Sequence, residues 1–189
     1  MHTLTAEQRK AITEELERSR ATLLSAARGL SSAQFTWKPA PDRWSVAETL
    51  EHVALVEGLM QGRLNRMSGA EASDEAAERV RPKSETLVQV VRNRQTKRNA
   101  PGPAQPQGAF TTFEAFEEHF IPLRQISISF VQTTDAPLHA VTQVHPALGE
   151  LSGHQWLCLL SAHCDRHTEQ AHEVRATPGF PSGELAATR

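Results

Sequence analysis

The sequence has no tyrosine and only two cysteines among its 189 residues. Cys158 and Cys164 are too few for the disulfide framework of a secreted protein. On a single helix they would also lie too far apart along the axis to form a bridge. We therefore expect two free thiols in a reducing compartment.

Long apolar runs are also missing, and no stretch approaches the length of a membrane span. The N-terminus has no basic region followed by an apolar segment, so it does not look like a secretory signal. The default expectation is a cytoplasmic protein with no membrane partner.

Neither sign of charge dominates, because 20 Lys and Arg face 22 Asp and Glu for a net charge of −2. No global basic field exists to attract nucleic acid, and we expect no nucleic-acid partner. One local basic cluster is formed by Arg92, Arg94, Lys97 and Arg98. It can be interpreted as an anion site, but a solvated helix face is more common and no aromatic residues interleave with it.

Apolar periodicity and capping patterns predict four long helices. Thr5 and Gln8 form a capping box for a first helix over 6–28 that stops near Gly29. Ser45 and Glu48 do the same for a second helix, which runs to Gly69. A loop with two prolines, residues 31–44, separates these helices.

The two later helices begin at similar signals. Thr111 and Glu114 open the third helix, in which Pro122 should produce a kink or a split. Ser152 and Gln155 open the last helix.

The segments that connect and follow the long helices are expected to be largely irregular. A crossover over about 70–110 should contain one short helix, 85–97, capped by Ser84. A loop is expected over 135–149, a loose tail over 178–189, and no strand anywhere. The predicted class is all-α: a four-helix bundle with a long crossover between its second and third helices, in one domain over 1–189.

The nine histidines are the candidates for chemistry. His163 and His167 are four residues apart, so they share a helix face at positions where Leu is expected. Buried imidazoles need a hydrogen-bond partner or a metal. The spacing alone favours two hydrogen-bonded histidines, and Cys164 excludes the zinc-protease motif that needs Glu after the first His. His52 on the second helix is the best candidate for a third ligand.

Both ends of the chain resemble the DinB-like family. The opening matches in Leu30-Ser31, Lys38-Pro39, Trp44-Ser45 and a following helix that carries His52. The end matches in Leu148-Gly149 and in the pattern His163-x-x-Arg166-His167-x-x-Gln170. The middle of the chain matches poorly.

This resemblance implies a four-helix bundle with a long crossover. It also implies a divalent metal held by His52, His163 and His167. Family members include enzymes that transfer low-molecular-weight thiols and a thiol-dependent isomerase, and relatives are often homodimers. The family name refers to induction by DNA damage and does not imply DNA binding.

Several functions follow from this pattern. Three His ligands leave metal positions open, so a bound ion can favour the thiolate of a small thiol or activate water for hydrolysis. The resemblance favours a thiol S-transferase acting on a small-molecule substrate. A hydrolase, a non-enzymatic metal-binding or metal-free stress-related bundle, and, least favoured, a nucleic-acid-associated stress protein are the alternatives. Imidazole suits Zn, Ni, Cu and Fe alike, so the metal stays open.

Other polar and aromatic residues have simpler interpretations. Glu48 can orient His52 or act as a base, but a role in capping the helix is favoured. Trp37 and Trp44 are expected to pack the first loop onto the bundle rather than line a pocket. His172 should be solvated. No partner spacing is evident for His119, His139, His145 and His154.

Overall fold

The computed structural model describes residues 2–95 and 99–182. Within these ranges four long helices form the body of the molecule, joined by shorter elements. The long helices are α1 (Ala6–Ala27), α3 (Val46–Ser68), α6 (Phe113–Thr133) and α7 (Gly153–Arg175). The shorter elements are α2 (Ser32–Thr36), α4 (Asp74–Val80), α5 (Leu87–Arg92), β1 (Thr142–His145) and β2 (Gly149–Ser152).

Three of the four long helices begin where the capping patterns predict, whereas α6 is capped by Thr112 and not by the expected Thr111. The side chains of Thr5, Ser45 and Ser152 each accept a hydrogen bond from the backbone N–H three residues on. The Gln or Glu side chain at that later position accepts a hydrogen bond from the backbone N–H of the capping residue. Gly29 follows α1 with a φ of +78°, a left-handed conformation that glycine adopts readily. Local sequence therefore determines these helix ends.

The bundle closes through four helix contacts. α1 packs against α6 and α7, and α3 packs against the same two helices. α1 and α3 therefore lie across from each other, and the long crossover joins α3 and α6, which are in contact. The predicted class, a helical bundle with a long crossover between its second and third long helices, is confirmed. None of the helices in the described ranges is long and apolar enough to cross a membrane.

The core has two apolar clusters separated by buried polar side chains. One cluster contains Leu16, Met60 and Trp156, and the other contains Leu23, Leu50 and Phe116. Between them α1, α3 and α6 contribute buried polar residues. We call this set the polar layer: Ser19, Glu57, Arg124 and Ser127.

Three expectations about helices need correction. The segment 31–44 is not all loop, because Ser31 caps the short helix α2. α6 is not split, since it continues through Pro122, so of the two expected outcomes the split is wrong and the kink stays a prediction. The crossover carries α4, a 3-10 turn over Arg81–Glu85 and α5 instead of one helix over 85–97. Such short helices depend on packing more than on propensity; residue 97 lies outside the described ranges.

The prediction that the chain lacks strands is wrong. β1 and β2 pair antiparallel, with Thr142 opposite Ser152 and His145 opposite Gly149. Four-residue strands are too short for the alternation that identifies a strand in a sequence. Of the tail, residues 178–182 are described, and the Phe180 ring packs edge-on against Trp37 with centroids 5.5 Å apart.

Candidate metal centre

His52 lies on the inner face of α3 and is 5% exposed. Its Nδ1 donates a hydrogen bond to the backbone oxygen of Ala104, at 2.6 Å. This bond places the ring proton on Nδ1 and leaves the Nε2 lone pair available.

His163 and His167 stand one turn apart on α7 and face His52. The Nε2 atoms of His52 and His163 are 3.2 Å apart. The His167 ring centroid lies 4.6 Å from that of His52 and 4.4 Å from that of His163. One nitrogen from each ring can be chosen so that all three lie within 4.8 Å of one another. The structure therefore brings together the three histidines expected from the family resemblance.

Gln170 orients the third histidine. Its Oε1 lies 3.0 Å from Nδ1 of His167 and also accepts from Nη1 of Arg94, at 3.2 Å. Arg94 in turn pairs with Glu173 at 2.6 Å, and its hydrogen bond lowers the pKa of that carboxyl. A ring nitrogen held by an outer partner is the usual arrangement for a histidine that binds metal.

All three imidazoles are held in the neutral form. Burial lowers the pKa of His52 below its ordinary value. Burial, and then repulsion from neighbouring histidines, lowers the pKa of both His163 and His167 well below that value. Imidazole binds metal only when neutral, so the surroundings suit three ligands near neutral pH.

Glu51 fixes the crossover beside His52. Its buried carboxylate accepts hydrogen bonds from the backbone N–H groups of Gln107, Gly108 and Ala109, at 2.7, 2.9 and 3.0 Å. Adjacent residues of α3 therefore hold the same proline-rich segment, Glu51 through these amides and His52 through Ala104. The partners are more than 50 positions away in the chain, and no sequence pattern identified Glu51.

A cavity of about 1160 Å³ opens onto the three histidines. α3, α7, the crossover and the β hairpin enclose it, and its wall includes Val56, Met60 and Leu159. Trp44 also lines it, with its ring centroid 4.9 Å from that of His52. The preference for a purely packing role is thus wrong for Trp44, while Trp37 packs as expected.

Glu48 serves the helix end, as expected. Its Oε2 accepts from the backbone N–H of Ser45 at 2.8 Å, and its Oε1 accepts from Nζ of Lys38 at 2.9 Å. Glu48 is not part of the histidine cluster.

The described arginines of the basic cluster are held in ion pairs, although Arg92, at the end of α5, is exposed as a solvated face would be. Arg92 pairs with Asp165 at 2.6 Å, and Arg94 pairs with Glu173. Both arginines therefore attach the crossover to α7. Lys97 and Arg98 lie outside the described residues.

The two thiols have structural environments. Burial raises the pKa of both Cys158 and Cys164 to about 11, so neither is a thiolate at neutral pH. Both are free, as expected, and Sγ of Cys164 donates to the backbone oxygen of Ser19 at 3.3 Å.

The other histidines lie outside the cluster. The rings of His139 and His154 stack with centroids 4.6 Å apart, a pair that the sequence spacing did not indicate. His145 contacts Trp156 and His119 contacts Phe110 through their rings. His172 is exposed, as expected.

Comparisons with known proteins agree with this architecture. A family model described as the DinB superfamily matches residues 15–171, a range that includes all three histidines. The uncharacterized protein YuaE of Bacillus subtilis (strain 168) is 24% identical over 149 residues, covering 78% of this chain and 87% of YuaE. The solved structure of YfiT from Bacillus subtilis has a TM-score of 0.54 at 16% identity, covering 93% of this chain and 90% of that one. YfiT is described as a probable metal-dependent hydrolase with an unusual four-helix bundle topology.

Proposed function

This chain belongs to the DinB superfamily, and from that membership we propose that it is a divalent-metal-dependent enzyme that transfers a low-molecular-weight thiol to an electrophile. His52, His163 and His167 are the proposed ligands, and the metal is Zn, Ni or Fe. The substrate is a small molecule bound in the cavity. Assembly as a homodimer stays a prediction.

The three converging imidazoles carry this proposal. They are neutral, two of them are oriented by outer partners, and all face a cavity large enough for a small molecule. A divalent ion held there would supply Lewis acidity, which favours the thiolate form of a thiol and lowers the pKa of water. Ala104 and Gln170 would hold the rings in place, and the cavity walls would orient the electrophile.

The surroundings favour thiol transfer over hydrolysis. Among the described residues no carboxylate joins the histidine cluster, and the nearby Glu48 and Glu173 are held by Lys38 and Arg94. Hydrolysis commonly uses such a group as a general base. Attack by a thiolate on a carbon electrophile does not require one.

Hydrolysis is the second candidate, because YfiT, a structural neighbour, is described as a probable metal-dependent hydrolase. Both candidates use the same three histidines. They differ in the nucleophile, so they can be separated by assay.

Metal content is the first experiment. The untagged protein, kept away from nickel columns and chelators, should carry metal near one equivalent per chain by elemental analysis. His167→Ala should lose it, whereas His172→Ala, which removes an exposed histidine of the same helix, should keep it. If the parent holds none and takes up none of Zn, Ni, Mn or Fe, the non-enzymatic interpretation replaces this proposal.

Activity is the second experiment. Small thiols and chlorodinitrobenzene are supplied to the metal-loaded protein. The thiolate sulfur forms a bond to the ring carbon, chloride leaves with the electron pair, and the thiol proton passes to solvent. We expect acceleration that needs metal and is lost in His52→Ala. Acceleration that survives this substitution contradicts the proposal. If the protein instead cleaves an ester supplied in a parallel assay and transfers no thiol, the hydrolase is selected.

A further inference from the structure

The cavity is elongated along matching faces of α3 and α7. His52 and Arg63 both line it from α3, three helical turns apart, which is about 16 Å along the axis. Trp156 lines it from α7, two turns before His163. The cavity thus has two ends, the three histidines at one and Arg63 with Trp156 at the other.

The guanidinium of Arg63 lies over the ring of Trp156, with its carbon 5.1 Å from the ring centroid. A guanidinium placed over an aromatic ring still has N–H donors that can bind a carboxylate in bidentate fashion. Within the ranges 2–95 and 99–182 no carboxylate forms an ion pair with Arg63, although the side chain is half-buried.

The other arginines along the cavity are already engaged. Arg94 pairs with Glu173, and Arg166 donates to the backbone oxygen of Val91 at 3.1 Å. Arg43 lies near enough to Glu173 to help lower the pKa of that carboxyl. Two acidic residues line the cavity, and both belong to the histidine end. Glu173 follows His167 on α7, away from Trp156, and Asp42 is two residues before Trp44, whose ring contacts His52.

The acidic residues of the cavity lie at the histidine end, and Arg63 at the other end has no carboxylate partner among the described residues. We therefore propose that the cavity takes a substrate or cosubstrate with a carboxylate-type anionic group. Arg63 binds that group while the reacting atom lies at the three histidines. The inference rests on the proposed function, because it assigns the histidine end to the chemistry. Helical side chains lean toward the helix N-terminus at both positions, so the lean does not bring the two ends together and they stay about 16 Å apart along α3. A long-chain thiol with a terminal carboxylate fits both ends.

The test uses protein loaded with Co²⁺, whose absorption spectrum reports on ligands at the metal. Mercaptooctanoate and mercaptooctanol have the same length and differ in the charge of the far group. We expect the carboxylate to bind about tenfold more tightly, with the difference shrinking as salt is added. Mercaptopropionate is too short to reach Arg63 and should show no such advantage over mercaptopropanol.

Three variants assign the effect to Arg63. Arg63→Met keeps most of the apolar stem and should abolish the carboxylate advantage, whereas Arg63→Lys should keep most of it. Arg66→Met is the matched control, because it removes the same charge from the same helix at a position outside the cavity. Equal binding of the two long thiols, or an advantage that survives in Arg63→Met, would overturn the inference.

A metal-free comparison separates this inference from the proposed function. Calorimetry with octanoate and octanamide, in the presence of a chelator, tests the Arg63 end alone and should also show an Arg63-dependent preference for the anion. A cobalt spectrum that no thiol alters would defeat thiol transfer and leave the octanoate result to decide on Arg63. No preference for octanoate would overturn the Arg63 site even if thiols do bind at the metal.

Discussion

Arg124 is fully buried at the centre of the bundle. Its Nη2 pairs with Glu57 at 2.7 Å, and its Nη1 donates to the backbone oxygen of Leu16 and to Oγ of Ser19, at 3.0 and 2.8 Å. Ser127 donates to the other oxygen of Glu57 at 2.7 Å. A buried pair of this kind contributes little net stability, but losing one partner leaves the other charged and unpaired.

Arg124→Met is therefore expected to lower the free energy of unfolding by about 3–5 kcal/mol, measured by urea denaturation. Arg28→Met provides the control, since its pair with Glu117 is exposed and should be worth at most about 1 kcal/mol. Adding Glu57→Gln to Arg124→Met should recover much of the loss, because no charge then stays buried. Equal losses in the Arg124 and Arg28 variants would show that the buried carboxylate does not control the cost.

His154 makes stability depend on pH. Burial, together with the neighbouring His139, lowers its pKa from 6.5 to about 4. The unfolded chain therefore binds a proton at higher pH than the folded chain, so stability rises with pH between about 4 and 6.5 and falls as acid is added. His139, Cys158 and, beyond them, His2 are the titratable groups around it.

His154→Phe keeps a ring in the stack and removes this titration. Relative to the parent, the loss of unfolding free energy between pH 7 and pH 4 should shrink by about 1–3 kcal/mol, measured by denaturation in a chelating buffer. The same change at the exposed His172 should leave the pH slope unaltered. A parent and a His154 variant with identical slopes would contradict the assignment.

At the scale of the element, the first turn of α7 depends on close backbone contact. The N–H groups of Gly153 and His154 donate to the backbone oxygens of Val141 and Leu138, at 3.0 and 2.9 Å. A Cβ on Gly153 would lie 2.6 Å from Cδ2 and 3.3 Å from Cα of Leu138. Glycine at this position therefore lets the start of α7 pack directly on the preceding loop.

Gly153→Ala should consequently destabilise the protein, by about 1–3 kcal/mol in urea denaturation. Gly58→Ala is the matched contrast, because that glycine lies within α3 with nothing within 4 Å of its added Cβ. There alanine should stabilise by about 0.5–1 kcal/mol through its better helix propensity. Opposite signs at the two positions are the expected result, and two stabilising changes would refute the close contact.

The sequence predicted the long helices better than the short elements between them. α1, α3 and α7 were predictable because their capping boxes are local patterns of four residues. The β hairpin and α4 were not, because both are short and contact elements distant in the chain, α4 packing on β2 and β1 packing on α3. α6 continues through Pro122 because Phe116, Phe120 and Ile128 are buried on both sides of it, and that packing outweighs the lost hydrogen bond.

At the scale of the whole molecule, the three histidines join two helices that are far apart in the chain. A metal bound by all three adds free energy to the folded state only, since the unfolded chain does not hold them together. At a free metal concentration about one hundred times Kd, the gain is about 2.7 kcal/mol. Adding Zn²⁺ to the metal-stripped proteins should therefore raise the thermal midpoint of the parent and of His172→Ala, but not of His163→Ala. A midpoint that does not respond in the parent would contradict metal binding at this cluster.

The candidate site was only partly predictable, because its residues come from parts of the chain that are far apart in sequence. Spacing on α7 identified His163 and His167, the position of His52 on the second helix made it the candidate third residue, and the family resemblance implied that all three bind metal. The groups that complete the site, Glu51 and the Ala104 carbonyl, are brought to it by the crossover, where the sequence matches the family poorly. Long-range placement of this kind leaves no local pattern.

The polar layer also defines how the helices align along the bundle axis. If α6 slid by one turn against α3, Arg124 would leave Glu57 and bury its charge among apolar side chains, and Ser127 would lose its acceptor. The two apolar clusters alone would tolerate such a slip, since one aliphatic side chain can replace another. The buried ion pair thus fixes the axial register of α6 against α3, because packings in which these helices are shifted would leave a buried charge unpaired.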